Sequence, residues 1–135
     1  MPPLHPQVLI VEDDVAISTL VQKLLARHGY VCDVIGDGDT AIRRLRTQSY
    51  DAVLLDLMLP GCFGFDVLRF LKAERPAMAQ KVVVMTAASA ATLRDFDVSA
   101  VRAVLRKPFD IDVLVAYVSA CVGHGDVIQG PLARA

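Results

Sequence analysis

The sequence lacks several features that mark secreted, membrane-spanning and nucleic-acid-binding proteins. Its three cysteines form no closely spaced pair, which argues against a disulfide framework or a zinc site and predicts a reducing, cytoplasmic setting. No apolar run approaches the length of about 18 residues that a membrane-spanning helix needs, and the first residues lack the pattern of a signal peptide. Lys and Arg (14) nearly balance Asp and Glu (15), so we expect no direct binding to nucleic acid or to a membrane surface.

The composition is typical of one folded domain. The chain has 135 residues, which is long enough for a single good core, and hydrophobic residues make up 54% of it, which excludes disorder. Residues 124–135 contain two glycines and a proline and show little periodicity. They are predicted to form a C-terminal tail or linker, and residues 1–6 an N-terminal extension.

Short apolar runs of the kind found in buried strands alternate with amphipathic helix patterns along the chain. Residues 8–11 are large aliphatic side chains, and a helix pattern follows them with Asp14 as its expected N-cap and Gly29 after its end. The other predicted strands are residues 30–35, the run 53–60, residues 81–86 and residues 103–105. The other predicted helices follow Asp39 as an N-cap, follow Gly64 and end before Pro76, occupy part of 87–101, and run from Asp110 to Gly123.

Five strands thus alternate with five helices, and the connections are long enough for crossovers. This pattern predicts a parallel sheet covered by helices on both faces. In such sheets the functional cleft lies beyond the carboxyl ends of the strands. The polar residues at those ends are therefore the candidates for function.

Five such residues stand at or just after the ends of four predicted strands: Glu12, Asp13, Asp56, Thr86 and Lys107. Three carboxylates close together would raise one another's pKa values and resist ionisation unless a cation were supplied. With one lysine, the cluster keeps about two negative charges at neutral pH. Because no His or Cys is placed with the acids, the site suits Mg²⁺ better than Zn²⁺.

These residues, in their sequence context, resemble the receiver domain of two-component response regulators. The resemblance covers about residues 7–123 and rests on Glu12 and Asp13 after a buried strand, Asp56 in VLLDLMLPG, Thr86 in VVVMTA and Lys107 in LRKPF. It implies an α/β, flavodoxin-like receiver fold, which is a doubly wound, five-stranded parallel sheet with the order 2-1-3-4-5. Residues 7–123 would form the receiver domain.

The resemblance also implies a role for each residue of the cluster. Asp56 would be the phospho-acceptor, taking a phosphoryl group from the phosphohistidine of a sensor histidine kinase or a histidine phosphotransfer protein. Thr86 would hydrogen-bond the phosphoryl group, and Lys107 would neutralise its charge. The ligands of Mg²⁺ would be Asp13, Asp56 and the backbone carbonyl of Met58, with Glu12 acting through water.

By the same resemblance, phosphorylation switches a protein-interaction surface that a downstream protein effector reads. The chain would not be an enzyme beyond catalysing its own phosphorylation and a slow dephosphorylation. The sequence leaves open whether the protein forms a homodimer. It also leaves open whether the chain is a single-domain regulator or the receiver portion of a longer protein.

Three positions depart from the pattern of the family. Receivers usually carry a Tyr or Phe three residues before the lysine, and this chain has Val104 there, so we expect activation to be relayed weakly or by movement of the loop after Thr86. Met58 and Ala88 stand where relatives have polar residues that aim the hydrolytic water. Their apolar side chains predict a phosphoryl group that decays slowly.

Three other interpretations compete with the phospho-accepting receiver. A pseudo-receiver would act only as an interaction module, and Val104 keeps this alternative open. A magnesium-dependent aspartyl phosphatase of the haloacid-dehalogenase type would need a DxD motif, but the second acid position is Met58 here. A flavodoxin-like binder of flavin mononucleotide would need a phosphate-binding loop where this chain has the acids Glu12, Asp13 and Asp14, which would repel a phosphate.

Overall fold

The computed structural model describes residues 5–59, 64–94 and 97–123. Within these residues, strands and helices alternate, except that two helices lie between the third and fourth strands. The strands are β1 (Gln7–Val11), β2 (Val31–Ile35), β3 (Ala52–Asp56), β4 (Val82–Thr86) and β5 (Ala103–Arg106). The helices are α1 (Val15–Arg27), α2 (Gly38–Thr47), α3 (Gly64–Glu74), α4 (Pro76–Ala79), α5 (Ala90–Arg94) and α6 (Ile111–Val122).

The five strands form one parallel sheet in the order β2-β1-β3-β4-β5, which confirms the predicted fold. The most apolar strand, β3, lies at the centre, and each of its five residues is buried. Its last residue, Asp56, is in register with Met85 of β4. The carboxyl ends of all the strands meet at one edge of the sheet, and the candidate residues lie along that edge.

The helices cover the sheet in two layers, because successive strand residues point to opposite faces. On one face, Leu9 and Val11 pack with buried residues of α2, α3 and α4. On the other face, Val8 and Ile10 pack with buried residues of α1 and α6. The central strands are therefore apolar on both sides, as expected of a parallel sheet. In the described part of the chain no helix is both long enough and apolar enough to cross a membrane.

Side-chain caps fix where α1, α2 and α6 begin. The Asp14 carboxylate accepts the Ile17 N–H at the start of α1, and Asp110 does the same for Asp112 and Val113 at the start of α6, as predicted. For α2 the prediction was wrong. The cap is Asp37, which accepts the Thr40 N–H, whereas Asp39 lies within the first turn of the helix. An N-cap oxygen must reach the amide two or three residues ahead, and here Asp37 has that position.

Several other boundaries also differ from the prediction. Strand β2 begins at Val31, because the Tyr30 N–H still bonds to the Leu25 carbonyl at the end of α1. The central strand ends at Asp56, so the rest of the apolar run 57–59 forms a loop. Pro76 does more than follow α3, since it is the first residue of the four-residue helix α4. The predicted turn residues 60 and 61 and the tail 124–135 lie outside the described residues.

Candidate functional site

The structure brings all five predicted side-chain positions to the same edge of the sheet. Glu12 and Asp13 follow β1, Asp56 and Thr86 are the last residues of β3 and β4, and Lys107 follows β5. Glu12 and Lys107, the first and last of them, are 95 positions apart in the sequence. A hydrogen bond nevertheless joins their side chains. The parallel topology alone therefore assembles the cluster.

Lys107 joins two of the three acids. Its ammonium Nζ lies 2.6 Å from Glu12 Oε1 and 3.1 Å from Asp56 Oδ2. Glu12 and Asp56 are only 2% and 3% exposed. Buried carboxylates need an opposite charge and hydrogen bonds to offset their lost hydration, and the ammonium supplies both.

Backbone amides hold the other carboxylate oxygens. The Met58 N–H donates to Asp56 Oδ1 at 2.9 Å, and the Asp14 N–H donates to Glu12 Oε2 at 3.1 Å. The Glu12 N–H donates in turn to the Ile35 carbonyl of the neighbouring strand. Each buried carboxylate thus has one oxygen bonded to Lys107 and the other bonded to a backbone N–H.

Thr86 is completely buried at the end of β4. Its hydroxyl oxygen accepts the Ala88 N–H at 3.0 Å, and its carbonyl accepts the Lys107 N–H at 2.7 Å. The second of these bonds ties the backbone of Lys107 to β4, the strand that carries the Thr86 hydroxyl. The hydroxyl and the ammonium therefore belong to one hydrogen-bonded edge of the sheet.

The electrostatics of the cluster follow from its burial. Burial raises the pKa of Glu12 above its usual value, and the Asp56 charge adds to the effect, while the bond to Lys107 offsets part of it. Burial disfavours the Lys107 ammonium, but Glu12 and Asp56 together outweigh that effect and raise the pKa of Lys107. Both directions indicate a site that is short of positive charge, as its sequence suggested.

The acids also offer a place for a cation. Glu12, Asp13 and Asp56 each present a carboxylate oxygen, and these oxygens lie within 4.8 Å of one another. Asp13 is exposed, so the cluster opens to solvent on its side. A set of carboxylate oxygens with an open side is typical of Mg²⁺ sites, in which the ion keeps several waters. The residues present therefore fit this ion.

The three departures from the family pattern have distinct settings. Val104 is 2% exposed and packs in the core on the side of α2 and α3. Ala88 is nearly buried beside Thr86, whereas Met58 is 49% exposed next to Asp56. The weak relay through Val104 and the slow decay of the phosphoryl group stay predictions.

The fold and the site together have the features of a signalling receiver, and the comparison with known families agrees. The model of the response regulator receiver domain matches residues 8–119. The chain belongs to this family and is a receiver domain of two-component response regulators. The phosphatase and flavin-binding alternatives are not favoured.

Two curated relatives illustrate the similarity in sequence. The transcriptional regulatory protein TcrA of Mycobacterium tuberculosis is 33% identical over 130 residues, which are 96% of this chain and 51% of TcrA. The transcriptional regulatory protein DltR of Streptococcus agalactiae is 34% identical over 125 residues, which are 91% of this chain and 54% of DltR. The chain thus spans about half the length of these relatives.

Two solved structures illustrate the similarity in fold. The receiver domain of the sensor histidine kinase PA1611 from Pseudomonas aeruginosa has a magnesium ion coordinated in its active-site cleft; it is 28% identical, with a TM-score of 0.79 over 88% of this chain and 98% of that chain. The response regulator TrrA from Thermotoga maritima, in complex with Mg²⁺-BeF, is 26% identical, with a TM-score of 0.75 over 86% of this chain and 98% of that chain.

The backbone N–H groups of the site were not predicted from the sequence. The N–H groups of Met58, Ala88 and Asp14 hold the functional oxygens, and Gly64 lies directly behind Asp56. A backbone amide has no residue type, so composition and spacing carry no signal for it. Gly64 does carry a signal, because a glycine at the start of a helix indicates that another backbone segment packs closely against it.

Proposed function

We propose that Asp56 is the phospho-acceptor of this receiver. The observation that carries the proposal is the setting of its carboxylate, which is buried at the end of the central strand and bonded to Lys107 and to the Met58 N–H. A nucleophilic carboxylate must be held in one orientation, and these two donors hold it. Thr86 binds the phosphoryl oxygens through its hydroxyl, and Lys107 binds them through its positive charge.

The reaction is an in-line transfer. An oxygen of Asp56 forms the new O–P bond as the N–P bond of a phosphohistidine breaks, and the electron pair of that bond leaves on the imidazole, which is then protonated. The product is an acyl phosphate on Asp56. Such a transfer depends on positioning and on neutralising charge rather than on an added base. Lys107 remains beside the carboxylate throughout and offsets part of the charge that the phosphoryl group brings.

Asp13, Asp56 and the backbone carbonyl of Met58 would hold Mg²⁺, with Glu12 acting through water. The approach of the three carboxylates to within 4.8 Å supports this assignment. Bound there, the ion supplies positive charge to the phosphoryl oxygens.

The donor is a sensor histidine kinase or a histidine phosphotransfer protein, and the reader is a downstream protein effector. Membership of the family supports both partners and a cytoplasmic location beside them. Residues 7–123 form the receiver domain, flanked by an extension at 1–6 and a tail or linker at 124–135. Catalysis by this domain is limited to its own phosphorylation and the slow loss of the phosphoryl group.

The test is labelling with phosphoramidate, with and without Mg²⁺, followed by intact mass measurement. The wild-type protein is expected to gain one phosphoryl adduct only when Mg²⁺ is present, and Asp56→Ala to gain none. The matched control is Asp51→Ala, which removes a carboxylate just before the other end of β3, where it accepts the Gln7 N–H. This variant should be labelled like the wild type. A folded wild-type protein that binds Mg²⁺ without being labelled would instead be a pseudo-receiver.

A further inference from the structure

Helix α3 begins at Gly64 in direct contact with the end of the central strand. A Cβ atom built on Gly64 would lie 2.5 Å from Leu57 Cα, 2.9 Å from the Asp56 carbonyl carbon, and closer still to the Asp56 carbonyl oxygen. All three of these atoms belong to the backbone. Approaches this close are essentially never seen for a real side chain, so the space behind Asp56 admits only glycine.

The same glycine also donates a hydrogen bond to this loop. Its N–H donates to the Leu57 carbonyl oxygen at 2.9 Å. The Leu57 carbonyl and the Met58 N–H are the two ends of one peptide group, and that N–H donates to Asp56 Oδ1 at 2.9 Å. A continuous chain therefore runs from the Gly64 amide through one rigid, planar peptide group to the carboxylate.

We propose that Gly64 is a positioning residue for the phospho-acceptor. Its missing side chain lets α3 close on the Asp56–Leu57 backbone, and its N–H orients the peptide group whose own N–H orients the Asp56 carboxylate. The inference rests on the proposed function of Asp56 and adds the element that aims it. The Met58 carbonyl, which we assign to Mg²⁺, belongs to the next peptide group. The contact with Gly64 therefore orients both the Asp56 carboxylate and this carbonyl.

The strand cannot yield to a side chain at this position. Strand β3 is paired with β1 on one side and β4 on the other, and its last residue is still in register with β4. A methyl group on Gly64 must therefore move the start of α3 away from the loop or rotate the Leu57–Met58 peptide. Either change alters the bond to Asp56 Oδ1.

The variant that tests the proposal is Gly64→Ala, compared with Gly36→Ala. The control also adds one methyl group near the site, in the loop between β2 and α2. A Cβ on Gly36 would meet nothing nearer than the Glu12 carbonyl oxygen at 4.0 Å. Three quantities are measured below the unfolding temperature of each protein: hydrogen exchange of the Met58 amide, the Kd for Mg²⁺ by calorimetry, and the phosphoramidate labelling rate at saturating Mg²⁺.

We expect Gly64→Ala to exchange its Met58 amide faster, to bind Mg²⁺ more weakly and to be labelled about tenfold to a hundredfold more slowly, since a misplacement of about 1 Å has costs of that order. Gly36→Ala should match the wild type in all three. Unchanged exchange, Kd and labelling in folded Gly64→Ala overturn the inference. Failure of the wild-type protein to be labelled overturns the proposed function instead, and the Met58 exchange then still reports on the hydrogen-bond chain.

A second pair of variants decides the question if Gly64→Ala does not fold. Val67 of α3 and Val118 of α6 are both fully buried, on opposite faces of the sheet. Val67→Ala loosens the helix that carries Gly64 without adding an atom, whereas Val118→Ala loosens a helix on the other face. Faster Met58 exchange and a higher Kd for Mg²⁺ in Val67→Ala alone support the positioning role. Equal effects in the two variants contradict it.

Discussion

At the scale of single residues, Lys107 lies between two buried acids, where a positive charge is favourable. Its ammonium contacts both Glu12 and Asp56 at hydrogen-bonding distance. It therefore stabilises the cluster when no other cation is bound. The same contact means that Lys107 and a divalent ion share the negative charge of the acids, so the affinity for the ion depends on the lysine.

The variant Lys107→Ala should tighten Mg²⁺ binding and slow phosphorylation. Removing the ammonium leaves more uncompensated charge for the ion, and we expect the Kd to fall by about three- to tenfold, which corresponds to about 0.7–1.4 kcal/mol. Labelling by phosphoramidate should slow, because the phosphoryl group loses its neutralising partner. Calorimetry and intact mass measure the two effects.

Lys81→Ala is the control for this prediction. Lys81 precedes β4 at the opposite edge of the sheet and has the same charge. Its removal should leave both the Kd and the labelling rate unchanged. Weaker Mg²⁺ binding in Lys107→Ala would show that the lysine helps to assemble the acids rather than competing with the ion.

At the scale of the elements, the sequence pattern predicted that α2 exists but not which residue caps it. The apolar residues Ala41 and Leu45 have the spacing of one helix face, and both are buried. Two acids preceded that spacing by two and by four residues, and both are acceptable N-cap residues by type. The choice between Asp37 and Asp39 depends on where the backbone leaves β2 and becomes helical, which the side-chain pattern does not encode.

The correction at α2 can be tested by thermal unfolding. Asp37→Ala should lower the unfolding midpoint at neutral pH, because the carboxylate accepts both the Thr40 N–H and the Thr40 hydroxyl, whereas Asp39→Ala should change it little. These bonds lower the pKa of Asp37 from its ordinary 3.8. A lowered pKa stabilises the fold above the ordinary value and ceases to do so as the pH falls through the lowered one.

The difference between wild type and Asp37→Ala should therefore be constant at neutral pH and shrink below pH 3.8. Asp39→Ala provides the baseline at each pH. A larger loss of stability in Asp39→Ala than in Asp37→Ala would restore the original prediction for this helix.

The site followed from the sequence better than its supporting contacts did. Glu12, Asp56 and Lys107 could be placed together because a parallel sheet collects strand ends at one edge. The helix α4 and the close approach of Gly64 to Asp56 could not be predicted, since each depends on how two elements pack in three dimensions. Periodicity describes which face of an element is buried, but it does not say which backbone atoms meet.

Strand β5 gives a second prediction at the scale of the elements. Val104 is buried, β-branched and restricted in its χ1 rotamers, so it cannot swing between two positions as an aromatic ring does. When the phosphoryl analogue BeF₃⁻ binds with Mg²⁺, hydrogen exchange should change mainly in the loop that follows Thr86. Changes in α5 and β5 should be small.

Hydrogen exchange measured with and without Mg²⁺-BeF₃⁻ checks this directly. Asp56→Ala, which lacks the proposed acceptor, is the control and should show no change on addition of BeF₃⁻. A large rearrangement of α5 and β5 in the wild-type protein would contradict the weak relay and would show that a valine is sufficient for the switch.

At the scale of the whole molecule, the site exists only in the folded chain. Its acids lie just after β1 and at the end of β3, and its lysine lies after β5, so the unfolded chain has no such cluster. A ligand that binds only the folded state stabilises it by mass action, by about 2.7 kcal/mol when its concentration is 100 times the Kd. Mg²⁺ should therefore raise the unfolding midpoint of the wild-type protein.

Asp13→Asn should abolish most of that increase. It removes the exposed one of the three carboxylates that could hold the ion, and it leaves the buried ion pairs of Lys107 in place. Asp51→Asn, which alters an acid at the opposite edge of the sheet, should keep the full increase. The measurement is a thermal scan at several Mg²⁺ concentrations. Equal increases in the two variants would mean that the ion binds elsewhere.

The most direct test of the account is to locate the phosphoryl group. Protein labelled by phosphoramidate in the presence of Mg²⁺ is reduced with borohydride, which converts an aspartyl phosphate to homoserine, and the modified residue is identified by peptide mass spectrometry. We expect homoserine at position 56 and at no other aspartate. Modification at Asp13, or at an acid outside the cluster, would contradict the assignment of Asp56 as the phospho-acceptor.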